Sequence, residues 1–336
     1  MKPLSDDTLR HLREIVELPD TAGTRYDVVE PIARGGMGVV FRARDRELDR
    51  EVALKVLSVR DTGPDVRARM LTEARILARL EHPGIVPVHD VGVLADGRTY
   101  YAMKLIRGSR LDDYARAHPN LGERLRVFDR VCEAVAFAHS EGIVHRDLKP
   151  ENVMVGAYGE VLVLDWGVAK LLRGEASGVA DAGQAPDSSP TGAAHGAGVF
   201  VVARSTTGSG AVIGTPGYMA PEQARGESAQ ADPRSDVYAL GAMLGFLTRD
   251  AGDRAALRRL RAIIDRATAE DPGSRYPNAS SLADDVARFA TGEAVSAYRE
   301  RWPERARRVA ARHRIAIGLV SAYLLMRVLL LLANRF

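Results

Sequence analysis

His145-Arg146-Asp147-Leu148-Lys149-Pro150-Glu151-Asn152, followed thirteen residues after Asn152 by Asp165-Trp166-Gly167, decides the reading of this 336-residue chain. An Asp, a Lys, an Asn and a second Asp stand at fixed spacing in a loop bounded by apolar, strand-like runs. Phosphoryl transfer calls for such a set. One carboxylate orients an attacking hydroxyl, a cation meets the charge on the moving phosphoryl group, and an Asn and an Asp hold Mg²⁺ on the phosphates. A lone Asp-x-x-x-x-Asn would carry little weight; the eight-residue run carries much more.

Upstream, Val52-Ala53-Leu54-Lys55 reads as a strand with an inward-facing lysine, which is costly to bury without an anionic partner. The next segment, from about Pro64 to Leu80, has the 3.6-residue period of a helix, with Met70, Leu71, Ala74, Leu77 and Leu80 apolar and Glu73 one turn before Leu77. Ile32-Ala33-Arg34-Gly35-Gly36-Met37-Gly38-Val39-Val40 places glycines between two strands, where backbone amides approach phosphate oxygens without Cβ interference. By itself such a run is more often a plain hairpin turn. Asp96-Gly97 marks a second hairpin, and Thr99–Ile106 reads as a strand and connector. Residues 5–18 read as a short amphipathic helix with no assigned chemistry.

Downstream, Leu111–His118 and Glu123–Glu141 have helical periodicity, and His139 and His145 read as structural histidines. Cys132 sits in an apolar helical pattern, as a buried thiol would. Being the single cysteine, it excludes an internal disulfide or a cysteine metal site. A net charge of +3 is too small to indicate a nucleic-acid binder, and 46% hydrophobic with 27% charged residues is the balance of a folded protein. Met1–Arg13 lacks the apolar core of a secretory signal. Between Gly167 and Gly214 lie 46 residues, of which Glu175–Gly210 is rich in Gly, Ala, Ser and Asp and reads as a disordered insertion. Asp250–Leu257 leads almost directly into a helix expected over Arg258–Ala269. Thr291–Arg314 carries seven arginines from Arg299 onward, and Ile315–Leu332 is almost wholly apolar. Such a stretch spans about 27 Å as a helix, close to a bilayer core, although Arg327 within it leaves an amphipathic or core-buried helix as the alternative. For a span, the preceding arginines predict that the rest of the chain is cytoplasmic.

From about Tyr26 to Phe289 these motifs arrive in the order of one family: the chain resembles a eukaryotic-like (Hanks-type) bacterial serine/threonine protein kinase. Gly-Gly-Met-Gly at 35–38 and Ala220-Pro221-Glu222-Gln223 resemble the bacterial members most. The resemblance implies an α+β, two-lobed kinase fold. Its small β-rich lobe would cover residues 25–107 and its larger helical lobe 108–290, with the activation-loop insertion over 175–210. A helical extension over 1–24, an Arg-rich juxtamembrane segment over 291–314 and a transmembrane helix over 315–333 would complete the chain. ATP and Mg²⁺ are the implied cofactors. Asp147 would be the catalytic base, or the group that orients the hydroxyl, and Lys149 would touch the γ-phosphoryl. Asn152 and Asp165 would ligate the metal. Ile32, Ala33, Gly35, Gly36, Gly38, Val40, Ala53, Lys55, Glu73, Met103, Lys104, Ile106 and Met154 would form the nucleotide site. In it Lys55 pairs with Glu73, Met103 is the gatekeeper, and the backbone of Lys104 to Ile106 meets adenine.

Arg146 would take an activation-loop phosphate, with Ser205, Thr206, Thr207 and Ser209 as candidate sites. Thr215 would pair with Asp147 and Lys149. Glu222 would pair with an arginine, most plausibly Arg275, and Asp236 would hold the catalytic-loop backbone. Implied partners are Ser/Thr-bearing protein substrates, a second copy for trans-autophosphorylation, and the membrane; nucleic acid is not among them. Ala33 replaces the family's first glycine, Trp166 its phenylalanine, and the large lobe is trimmed after Leu247. These departures leave a second reading open, a catalytically silent kinase fold acting as a membrane scaffold.

Overall fold

Apolar side chains at period two fold into one antiparallel sheet in the computed structural model of the chain. Its strands are β1 (Tyr26–Gly35), β2 (Gly38–Asp45), β3 (Arg50–Leu57), β4 (Val88–Val93) and β5 (Thr99–Lys104), in the order β1-β2-β3-β5-β4. The structure describes residues 18–35, 38–58, 64–166, 170–171, 217–225, 232–250, 254–300, 302, 305 and 314–333. Because successive side chains of a strand alternate in face, Phe41, Leu54 and Ala102 line up on one side. There they join Tyr26, Val39, Val56 and Tyr100 in a buried cluster. The opposite row, Val40–Lys55–Tyr101, faces helix α1 (Pro64–Arg79), whose Met70, Ala74 and Leu77 are buried against it. A Cβ at Gly38 would overlap the Val56 carbonyl, so β2 and β3 pair at that point only with glycine there.

The rest of the fold is mainly helical. Helices α2 (Leu111–Ala117), α3 (Leu121–Ser140) and the four-residue α4 (Pro221–Ala224) come first, followed by α5 (Pro233–Leu247), α6 (Arg254–Ala267) and α7 (Ala279–Ala290). They enclose a core in which Phe128, Val131, Cys132 and Val135 of α3 are fully buried. Burial pushes the Cys132 thiol well above its ordinary pKa, which suits an inert packing role. Short strands β6 (Gly108–Arg110), β8 (Val153–Gly156) and β9 (Val161–Val163) form one ribbon, and β7 (Ile143–Val144) pairs with β10 (Lys170–Leu171). The loop after β7 and the segment after β9 lie side by side, joined where the His145 ring meets the Leu164 carbonyl.

Several expectations change. Helix α6 begins at Arg254 rather than Arg258; Leu260, Ile263 and Ala267 bury one face, and Arg259 and Arg266 tie its flank to the chain after α7. The connection after Leu247 is thus shorter still. Residues 18–24, assigned to a helical extension, form bends and turns. They are held where Arg98 donates to the Leu18 carbonyl at 2.9 Å. The remainder of the expected helix over 5–18 lies outside the described residues, as does the insertion over 175–210. The first part of the Arg-rich segment packs onto the large lobe. Buried Asp285 accepts from Ser296 N at 2.6 Å, Ser296 Oγ at 2.8 Å and Ala297 N at 3.0 Å. A C-terminal helix, α8 (Arg314–Ala333), follows, with Leu319, Val320, Leu324, Leu325 and Met326 exposed. Among the described residues no helix is long and apolar enough to cross a membrane. The side chains of 314–317 and 328–333 lie outside the description.

Candidate active site

The catalytic-loop residues are positioned from below by α5. Asp236, fully buried, accepts the His145 amide through Oδ2 and the Arg146 amide through Oδ1, each at 2.8 Å, while His139 Nε2 meets Oδ2 at 2.8 Å. Burial alone would raise the Asp236 carboxyl. The hydrogen bonds from His139 and the backbone outweigh it and hold the group below the ordinary carboxylate range. The His145 ring works locally: Nδ1 accepts the Asp147 amide at 3.2 Å, which leaves Nε2 to donate to the Leu164 carbonyl at 2.9 Å. Arg146 adopts a left-handed φ of 72°, and its carbonyl is taken by Gln223 Nε2 at 3.0 Å. A non-glycine residue in that region is strained unless its surroundings hold it; here both its amide and its carbonyl are held. Burial pulls the Arg146 guanidinium below its usual range despite the Asp236 charge.

On this frame Lys149 Nζ lies 2.7 Å from Asp147 Oδ2. Asn152 Nδ2 donates to the Asp147 carbonyl at 2.8 Å and to Oδ2 at 3.2 Å. The Leu164 amide bonds the Asn152 carbonyl at 2.8 Å and so ties the strand leading to Asp165 beside the loop. Asp165 is exposed with a left-handed φ of 61°. Trp166 is fully buried, its indole N–H on the Val163 carbonyl at 3.3 Å and its ring 4.6 Å from that of His145. The larger ring is accommodated inward, under the loop.

In the small lobe, Lys55 Nζ reaches Glu73 Oε1 at 2.7 Å and Oε2 at 2.9 Å. Ala53 stands directly opposite Met103, and Ala33 opposite Val40. Ala53 is buried, Val40, Met103 and Met154 are half-buried, and Ile32 is 45% exposed. Of the connector, the Lys104 amide is already spent on the Pro87 carbonyl at 3.2 Å, which narrows its share of any adenine contact to its carbonyl. Gly35 and Gly38 pair at the hairpin mouth. Gly36 and the candidate phosphosites Ser205, Thr206, Thr207, Ser209 and Thr215 lie outside the described residues.

Residues 26–252 match the protein kinase domain. The chain belongs to the protein kinase family. Among curated relatives, the serine/threonine-protein kinase PknD of Protochlamydia amoebophila is 35% identical over 269 residues, which are 75% of this chain and 26% of that protein. PknD of Chlamydia muridarum is 38% identical over 242 residues, 66% of this chain and 24% of that one. The chain thus spans about a quarter of the length of these relatives. Among solved structures, the Mycobacterium tuberculosis PknI kinase domain superposes with a TM-score of 0.56 at 26% identity, covering 81% of this chain and 99% of that one.

Two features of the kinase site had little signal in the sequence. Gln223 bridges the Ala220 amide (3.2 Å) to the Arg146 carbonyl, a link across 77 residues. Tyr101, two residues before Met103, places its hydroxyl 2.8 Å from Glu73 Oε1. Only the strand register reveals it.

Proposed function

We propose that this kinase transfers the γ-phosphoryl group of ATP, with Mg²⁺, to Ser and Thr hydroxyls of proteins, itself included. The observation that carries the reading is the convergence of Lys149 Nζ and Asn152 Nδ2 on one oxygen of Asp147, at 2.7 and 3.2 Å. ATP supplies the phosphoryl group, and Mg²⁺ neutralises charge on its phosphates. Asp147 keeps a second carboxylate oxygen for an incoming hydroxyl, orients it and takes its proton. Lys149, already beside that carboxylate, presents its cation to the developing negative charge. The metal donors fit Mg²⁺: among the described residues Asn152 Oδ1 and the exposed Asp165 carboxylate accept no hydrogen bond, and both are the hard oxygens that ion prefers. Lys55, oriented by Glu73, suits the α- and β-phosphates. Lys149 two residues after Asp147 is the sequence feature that favours Ser and Thr as acceptors. Arg146 would receive an activation-loop phosphate.

The test is to incubate the purified chain with labelled ATP and Mg²⁺ beside Asp147→Asn and Lys55→Met variants. Label on Ser or Thr in the wild type alone is expected. Bound nucleotide with no label on any protein would replace the enzyme with a silent scaffold.

We further infer that the segment over 315–333 anchors the kinase domain on the cytoplasmic face of a membrane. The support is a 20-residue helix with exposed Leu319, Leu324 and Leu325, arginines before it, and an apolar sequence through Leu332. Membrane fractions washed with alkaline carbonate should retain the full chain and release one truncated after residue 314. Release of both would remove the anchor.

A further inference from the structure

The Glu73 carboxylate is held from two strands, not one. Tyr101 Oη donates to Oε1 at 2.8 Å, the same oxygen that takes Lys55 Nζ at 2.7 Å, while Oε2 takes Nζ at 2.9 Å. The pairing of β3 with β5 sets Tyr101 directly opposite Lys55, so both side chains leave the same face of the sheet toward α1. The ammonium lies 5.5 Å from the Tyr101 ring centroid. Neighbouring Tyr100 points the other way, into the second cluster beside Tyr26. Tyr101 and Glu73 are each 1% exposed, so water does not substitute for either partner. A phenol buried this deeply needs an acceptor for its proton, and Glu73 supplies it. Burial first, and then the Glu73 charge, push the Tyr101 hydroxyl well above its ordinary pKa, so it stays a donor.

We propose that Tyr101 is a positioning residue for phosphoryl transfer, its hydroxyl fixing the Glu73 carboxylate where that carboxylate clamps the Lys55 ammonium. The inference rests on the reading of Lys55 as the cation for the ATP phosphates. A lysine side chain is a flexible stem ending in a point charge, so its aim is set by the anion that holds it. The Glu73 side chain is itself flexible and is borne on a separate helix. A second donor from β5 pins it to the sheet that carries Lys55. Phe at position 101 keeps the ring and its packing and removes only this bond. The β-phosphate belongs to the leaving group and gains charge during transfer, so a misaimed Lys55 costs turnover as well as nucleotide binding.

The experiment uses the full chain with Mg²⁺, and labelled ATP with casein for turnover. Tyr101→Phe is expected to lower kcat/KM for ATP about tenfold, with only the small fall in unfolding midpoint that one lost hydrogen bond gives. In a Glu73→Ala background the same change should cost less than about twofold in kcat/KM, since the hydroxyl then has no side-chain oxygen to position. Equal losses in both backgrounds, no loss in either, or a lowered midpoint with kcat/KM unchanged would each make Tyr101 a packing residue. Lys55→Met is the separate control. If it transfers labelled phosphate as fast as wild type, the reading of Lys55 fails, and the role of Tyr101 with it, independently of the Tyr101→Phe result.

Discussion

Two ion pairs with one fully buried partner each, Lys55–Glu73 in the small lobe and Arg275–Glu222 in the large one, use the same charges to opposite ends. All five N–H donors of Arg275 are engaged. Nη1 and Nη2 each take one Glu222 oxygen at 2.8 Å, and the rest reach the Ala269, Arg234 and Glu270 carbonyls at 2.7 to 3.1 Å. Ser235 adds a further bond to Glu222 at 2.9 Å. Burial would raise the Glu222 carboxyl, but the Arg275 and Ser235 bonds more than offset it and hold it below the ordinary range. Lys55 has three N–H donors and, among the described residues, places two of them, both on Glu73. A saturated fork closes a structure; a cation with a spare donor at a cleft is available to a substrate.

That contrast is easiest to break at Arg275. Arg275→Ala leaves Glu222 largely buried without its cation and should cost about 3–5 kcal/mol by urea unfolding. Arg275→Lys should lose an intermediate amount, because a point charge does not replace the fork. If either folds as stably as wild type, saturation is not what the pair contributes. Asp236→Asn should come next, at about 2–3 kcal/mol near neutral pH, since the His145 and Arg146 amides lose a charged acceptor.

The same residue sets a pH dependence. Its folded pKa lies below the unfolded one, so as pH falls the unfolded chain takes up the proton first. Stability from Asp236 is therefore complete above the unfolded carboxylate pKa of about 3.9 and is lost as pH falls from there toward the folded pKa. Unfolding midpoints followed through acid should show this limb in wild type and a shallower one in Asp236→Asn.

Lys55→Met adds a loss of function that the Arg275 changes lack. It leaves Glu73, 1% exposed, with the Tyr101 hydroxyl but no cation, so stability should fall by about 3 kcal/mol, while labelled-phosphate transfer is abolished. The smallest effect is expected from Trp166→Phe, at about 1 kcal/mol for the lost volume and the long bond to Val163. Transfer should persist within a few-fold, because Trp166 touches the loop through His145 and makes no bond to Asp147.

Sequence by itself settled what is local. The run 145–152 carries its chemistry within one loop. The period-two and 3.6-residue patterns marked β3, α1 and α3, and the Asp96-Gly97 turn emerged as the β4–β5 connection with Gly97 at φ 83°. Lys55 was legible because a charge in an apolar pattern demands a partner; Glu73, Glu222, Arg275 and Asp236 took their roles from the resemblance to the kinase family. Tertiary structure alone decided which atoms meet. Tyr101 faces Lys55 only through the β3–β5 register, and Gln223 reaches Arg146 only because α4 docks beside the catalytic loop. Asp285 gathers Ser296 and Ala297 only once α7 is folded. The start of α6 was misplaced by four residues, although Asp253 before Arg254 offers a capping residue and Ala255, Ala256 and Leu257 suit a first turn. A one-residue register shift reverses every side chain of a strand. Contacts between distant strands and helices are therefore written in no local pattern.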